Sequence, residues 1–184
     1  MERLVYIPIL ILPCTLVFAF GEADVVIDHP QLERKQGLLY YDGSLFSGYT
    51  FETYAEGVLK SRTRWVNGKR QGKSTKWYEN GIIKEVRSYE NNRKNGKHLG
   101  YYPDGTKRFE YHFLDSQYHG CYREWYPDGS PSALRFYKFG VEDGLQKMFE
   151  ADGSIRANYV VKDGYRYGLV GSRNCITTPT TVTP

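Results

Sequence analysis

Gly48, Gly72, Gly96, Gly120, Gly144 and Gly168 stand 24 residues apart without one insertion, and a second series, Gly57, Gly81, Gly105, Gly129 and Gly153, follows the first five of them by nine. Two glycine series do not hold phase over five units by chance. A fixed period of this length marks a repeat array, in which each unit is one supersecondary element that buries its apolar surface only against its neighbours.

Within a unit the spacing predicts two strands and two turns. The first strand ends on an aromatic pair, Trp77-Tyr78, Tyr101-Tyr102 or Trp125-Tyr126. A turn follows at Glu56-Gly57, Asn80-Gly81, Asp104-Gly105, Asp128-Gly129 and Asp152-Gly153. Gly supplies positive φ, and Asp or Asn bonds the local backbone, which suits a reversal of the chain. A second strand of about eight residues then closes on another turn, such as Asn67-Gly68 or Asp163-Gly164. Composition agrees: 17 Tyr, 9 Phe and 3 Trp stand against 2 Met, and aromatics between regular glycines favour strands over helices. The expected fold is all-β, an elongated single-sheet antiparallel meander of tandem 24-residue β-hairpin repeats.

Side chains alternate faces along a strand, so position within the unit sorts them. Counted from the leading glycine, position five is Thr53, Trp77, Tyr101, Trp125 and Phe149, position eleven is Leu59, Ile83, Lys107, Pro131 and Ile155, and position seventeen is Trp65, Tyr89, Phe113, Tyr137 and Val161. These columns are expected to stack as the apolar face. Position twelve, Lys60, Lys84, Arg108, Ser132 and Arg156, makes a basic stripe with one gap. Tyr78, Tyr102 and Tyr126, read as exposed aromatics, together with Lys60, Lys84 and Arg108, are the candidate binding residues.

The ends differ from the middle. Residues 4–20 form an uncharged apolar run, broken by Pro8 and Pro13, and Ala19-Phe20-Gly21 places small residues at a signal-peptidase site. Residues 1–21 are therefore expected to be a signal peptide cleaved near Gly21, sending the chain to the periplasm or the outside. A retained membrane anchor, or lipidation at Cys14, is the alternative. Residues 22–37 form an irregular lead-in, 38–47 an N-terminal capping strand and turn, 48–167 the five repeats, 168–175 a partial sixth, and 176–184 a disordered Thr/Pro-rich tail.

The units resemble the variant MORN repeat, in which G-x(4)-W-Y-x-N-G precedes a short strand, an aromatic and N-G-K-x-x-G. Gly72, Trp77, Tyr78, Asn80 and Gly81 carry the first half, and Trp65, Asn67, Gly68, Lys69 and Gly72 the second. Pro131 within a strand and Phe139-Gly140 in place of Asn-Gly depart from it. Such proteins are often filed as YwqK-type antitoxins, so the resemblance implies a toxin as partner, whereas the apolar leader points to export. Choline-binding repeats use similar hairpins, but the 24-residue period and the basic stripe set this chain apart from them.

The sequence contains no G-x-S-x-G, P-loop or H-E-x-x-H, and its four histidines fall at different places in the unit. No cofactor, metal or enzymatic activity is expected. The formal net charge of +4 does not call for nucleic acid. Cys121 and Cys175 are separated by roughly four strands, about 19 Å at ~4.8 Å per strand, beyond the ~7 Å that a disulfide allows. The expected function is a protein–protein interaction or scaffolding module, with binding of glycan, anionic envelope polymer or membrane surface as the rival.

Overall fold

The hairpins are made by the backbone at their turns. In the computed structural model, which describes residues 23–171, Asn67 and Gly68 have φ of 49° and 72°, and Asp163 and Gly164 have 53° and 81°. Positive φ at both central residues is the type I′ geometry whose twist matches that of paired strands. Asn91-Asn92, Asp115-Ser116 and Phe139-Gly140 make the same turn without the Asn-Gly spelling. At the opposite edge, Oδ1 of Asn80, Asp104, Asp128 and Asp152 accepts from the amide two residues on. These hydrogen bonds hold the Asp104 carboxyl below its usual range.

Sixteen strands follow: β1 (Ala23–Val26), β2 (Leu32–Lys35), β3 (Leu38–Tyr41), β4 (Ser44–Leu45), β5 (Gly48–Thr53), β6 (Leu59–Val66), β7 (Lys69–Trp77), β8 (Ile83–Glu90), β9 (Arg93–Lys94), β10 (Gly96–Tyr101), β11 (Lys107–Leu114), β12 (Gln117–Trp125), β13 (Pro131–Lys138), β14 (Val141–Phe149), β15 (Ile155–Lys162) and β16 (Tyr165–Leu169). From β5 to β16 the order is sequential and antiparallel, with short β9 beside β8. The all-β meander is thus the observed fold. Pro131 opens β13, where a missing amide costs least.

The N-terminal end departs from the expectation of one antiparallel sheet with an irregular lead-in. Residues 22–37 contain β1, which pairs in parallel with β5, and β2, which joins β3 and β4 in a separate three-stranded sheet. Parallel pairing follows from the path, because the chain leaves the edge of β5, builds the small sheet and returns. Gly48 permits the close approach: a Cβ there would lie 2.2 Å from the Ala23 carbonyl oxygen. Leu39, Phe46 and Trp65 form the core between the two sheets. A second cluster, Ala157, Tyr159 and Val161 with Met148 packed on it, lies near the other end.

Register shifts overturn part of the column assignment. One lies between the fourth and fifth positions of each unit, as at Lys76/Trp77 and Glu124/Trp125, and another opposes the leading glycine, as at Thr63/Trp65. A bulge adds a residue and breaks the two-residue alternation. Position eleven is therefore not core: Ile83 is 39% and Ile155 45% exposed. The buried column is position thirteen, with Glu85, Phe109, Ala133 and Ala157, alongside Trp65, Tyr89, Phe113 and Val161 at seventeen. Gly48 and Gly96 start their strands, but the other leading glycines do not. Gly72, Gly120 and Gly144 lie inside β7, β12 and β14 at φ between 77° and 90°.

Candidate binding groove

Positions two, four, thirteen, fifteen and seventeen share one face, as the pairs Thr50–Thr63, His98–Tyr111 and Gln146–Tyr159 show. Thr50, His98 and Gln146 on this face are almost fully buried. Two depressions of about 380 and 520 Å³ open there and meet at Arg87. Their basic lining residues are Arg34, Arg70, Lys76, Arg87, Lys94 and Arg108, and their acidic ones are Glu52, Glu85 and Glu124. The groove is basic by a margin of three.

Cations are stacked on its rings. The guanidinium of Arg34 lies 4.9 Å from the centroid of Trp65, that of Arg70 lies 4.4 Å from Tyr89, and the Lys94 ammonium lies 5.0 Å from Phe113. An apolar ring supplies a negative face, so a cation gains there without a carboxylate. Glu85 is handled differently. Burial opposes its ionisation, but hydrogen bonds from Arg87 at 2.7 Å and Lys76 at 3.0 Å outweigh that and hold its carboxyl below the usual range.

Further along, the groove turns aromatic. Phe109 stacks on Tyr111 at 4.5 Å, and Tyr111 on Tyr122 at 4.2 Å. Both tyrosine hydroxyls donate to Oε1 of Glu124, at 2.5 and 2.6 Å. Burial and the Glu124 charge push both phenols well above their usual range, so they stay protonated as donors. His98 sits between Tyr89 and Phe113 with Nε2 2.8 Å from the Ser88 carbonyl, and burial lowers its pKa below the ordinary value, with Arg87 and Lys94 adding to that.

Tyr78, Tyr102 and Tyr126 are not exposed, contrary to the reading of their positions in the unit. Each is half-buried, and each hydroxyl donates to a backbone carbonyl of the next unit: Tyr101, Trp125 and Phe149 respectively, all at 2.9 Å. Tyr54 does the same to Trp77 at 3.0 Å. The basic stripe is brought to these rings. Lys84 lies 5.3 Å over Tyr78 and Lys60 5.7 Å over Tyr54, with Lys60 also bonded to Glu52 at 2.5 Å. Arg108 turns instead to Phe109, at 5.1 Å.

Arg70, Lys94 and the Tyr111–Glu124–Tyr122 triad were not singled out from the sequence. A signal for the first two exists, since Arg70, Lys94, Tyr118, Glu142 and Arg166 recur 24 apart. Arg34 had none, because it lies outside the period. Among the described residues no group of three or more His, Cys, Asp or Glu converges to hold a metal ion. Cys121 is half-buried with its thiol pushed up by burial, and Cys175 lies outside the described residues.

Residues 70–91 and 118–139 match the family model of the MORN repeat variant. The two matches begin on Arg70 and Tyr118, two units apart, and end on Asn91 and Phe139, the first central residues of two type I′ turns. No curated protein matches the chain.

Proposed function

We propose that this chain is a binding or scaffolding module whose partner is a protein, held along the basic–aromatic groove. The observation that carries this reading is the groove itself: charged and aromatic side chains repeat at unit spacing on a frame locked at both edges by hydrogen bonds. Rigid placement keeps the ordering cost of binding low. Tyr102, Tyr126 and Arg108 line the larger depression and belong to the groove under this reading, whereas position eleven and the stacks of Lys60 on Tyr54 and Lys84 on Tyr78 are secondary surface.

The apolar run at residues 4–20 supports a working place outside the cytoplasm, and under that reading the partner is an envelope or secreted protein. A toxin as partner, which the YwqK-type label would imply, does not agree with export. Binding of an acidic glycan through the same groove is the second reading, favoured by the basic excess of its lining.

Affinity capture with the full chain as bait tests the main reading, using Arg87→Glu/Arg135→Glu as the matched control. Arg135 is half-buried on the same face, and its Nε lacks a hydrogen-bond partner within the structure. The expected result is one protein enriched by the native bait and lost by a control that still unfolds cooperatively. Equal recovery on both baits would remove the groove from the reading.

A further inference from the structure

The three cation–ring stacks have a spacing that selects a ligand. Trp65, Tyr89 and Phe113 lie on β6, β8 and β11, each separated from the next by one intervening strand. At ~4.8 Å per strand the stacks recur about every 9.6 Å. Among the described residues no carboxylate lies within ion-pair distance of Arg34, Arg70 or Lys94. Nε of Arg70 is buried without a hydrogen-bond partner. Burial lowers the Arg34 pKa, and repulsion from the nearby Arg70 adds to it. The row thus holds three positive charges that nothing in the groove neutralises.

A polyproline II helix has three residues per turn and rises ~3.1 Å per residue, so side chains three apart point the same way at about 9.3 Å. A β-strand ligand would turn every third side chain to the opposite face. We propose that the row binds an acidic peptide segment in polyproline II conformation, with carboxylates at every third residue seated on Arg34, Arg70 and Lys94. The row also has an end. Its next place is Tyr118, tilted against Tyr137 at 5.3 Å, and the one after is Glu142, already paired with Arg166 at 2.9 Å, so neither place offers a cation to a further carboxylate. An acidic stretch of three turns followed by proline or another apolar residue against Tyr118 fits this order, and aromatic-lined grooves suit the polyproline II backbone. A flat anionic membrane fits less well, because Arg70 and Lys94 are half-buried within the depression. This inference rests on the protein-binding reading and names the partner's chemistry.

Fluorescence anisotropy with the full chain decides it. The probe is a labelled peptide of three Asp-Pro-Pro units, compared with a peptide of the same composition whose three aspartates are contiguous, and with phosphatidylserine vesicles. The periodic peptide is expected to bind at least about fivefold more tightly than the contiguous one, and Arg70→Gln and Lys94→Gln to weaken it about fivefold each. Lys138→Gln, on an exposed lysine away from the row, is expected to change nothing. Circular dichroism melting confirms that each variant is folded. Equal affinity for the two peptides overturns the proposal in favour of unspecific charge attraction. Vesicle binding that is lost in Arg70→Gln, with neither peptide bound, overturns it in favour of a membrane occupant. If neither probe binds while affinity capture still returns a groove-dependent partner, this inference falls and the protein-binding reading stands.

Discussion

The hydroxyl of Tyr78 donates to the backbone carbonyl of Tyr101 at 2.9 Å, one unit further along the chain. Tyr54, Tyr102 and Tyr126 repeat the bond, so one edge of the array is laced by side chains. The other edge is laced by backbone: the amides of Asn92, Ser116 and Gly140 donate to the carbonyls of Arg70, Lys94 and Tyr118. A single sheet buries little volume, and these two seams hold neighbouring hairpins in fixed positions. Unit five has Glu150 where the others have tyrosine, and the tyrosine seam ends there.

Tyr102→Phe removes one rung and leaves the Trp125 carbonyl with water at best. Loss of about 1 kcal/mol of unfolding free energy is expected in guanidinium titration. Tyr165→Phe, at a side chain 70% exposed in β16, is expected to change nothing measurable.

Gly100 faces the ring of Phe109, and a Cβ there would stand 2.1 Å from Cε1 of that ring. Gly100→Ala is expected to cost about 2 kcal/mol by overpacking. In a Phe109→Leu background the same change should cost clearly less, and a double-mutant cycle from thermal or denaturant unfolding reads that coupling.

Phe139 opens a type I′ turn at φ 49° and is 55% exposed. Asn is far better suited to positive φ, and the equivalent places carry Asn67, Asn91, Asp115 and Asp163. Phe139→Asn is expected to stabilise the fold by about 0.5 kcal/mol, despite losing the ring contact with His119 at 4.8 Å. Calorimetry checks the sign through the melting temperature.

His98 is 1% exposed, and burial holds its folded pKa below the ordinary 6.5. The unfolded chain therefore takes up a proton at a higher pH than the folded one. Stability is complete above about pH 6.5 and falls as pH drops from there toward the folded value. The melting temperature should decline between pH 7 and 5, and a His98→Gln variant should show a flatter decline. Glu85 acts lower on the scale. Its depressed folded pKa contributes stability above about pH 4.5 that is lost on further acidification.

The period, the hairpins, the turns and the all-β class were legible because their causes are local. A residue at positive φ needs Gly, Asn or Asp wherever the chain goes, so Asn67-Gly68 and Asp104-Gly105 declare themselves. Burial was not legible in the same way. Parity from the leading glycine places Ile83 in the core and Tyr102 on the surface, and two bulges per unit reverse such assignments. Bulges are set by cross-strand pairing, which a single strand does not encode. The parallel strand β1 and the stack of Arg34 on Trp65 were beyond reach for a related reason. Each joins a segment outside the repeat to the first unit, across 31 residues in the second case. The sequence by itself determined that this protein is a regular array of hairpins, through backbone demands met residue by residue. Only the tertiary structure decided which face is a groove and which cations line it, because that depends on register between strands and on how the N-terminal sheet closes over the first unit.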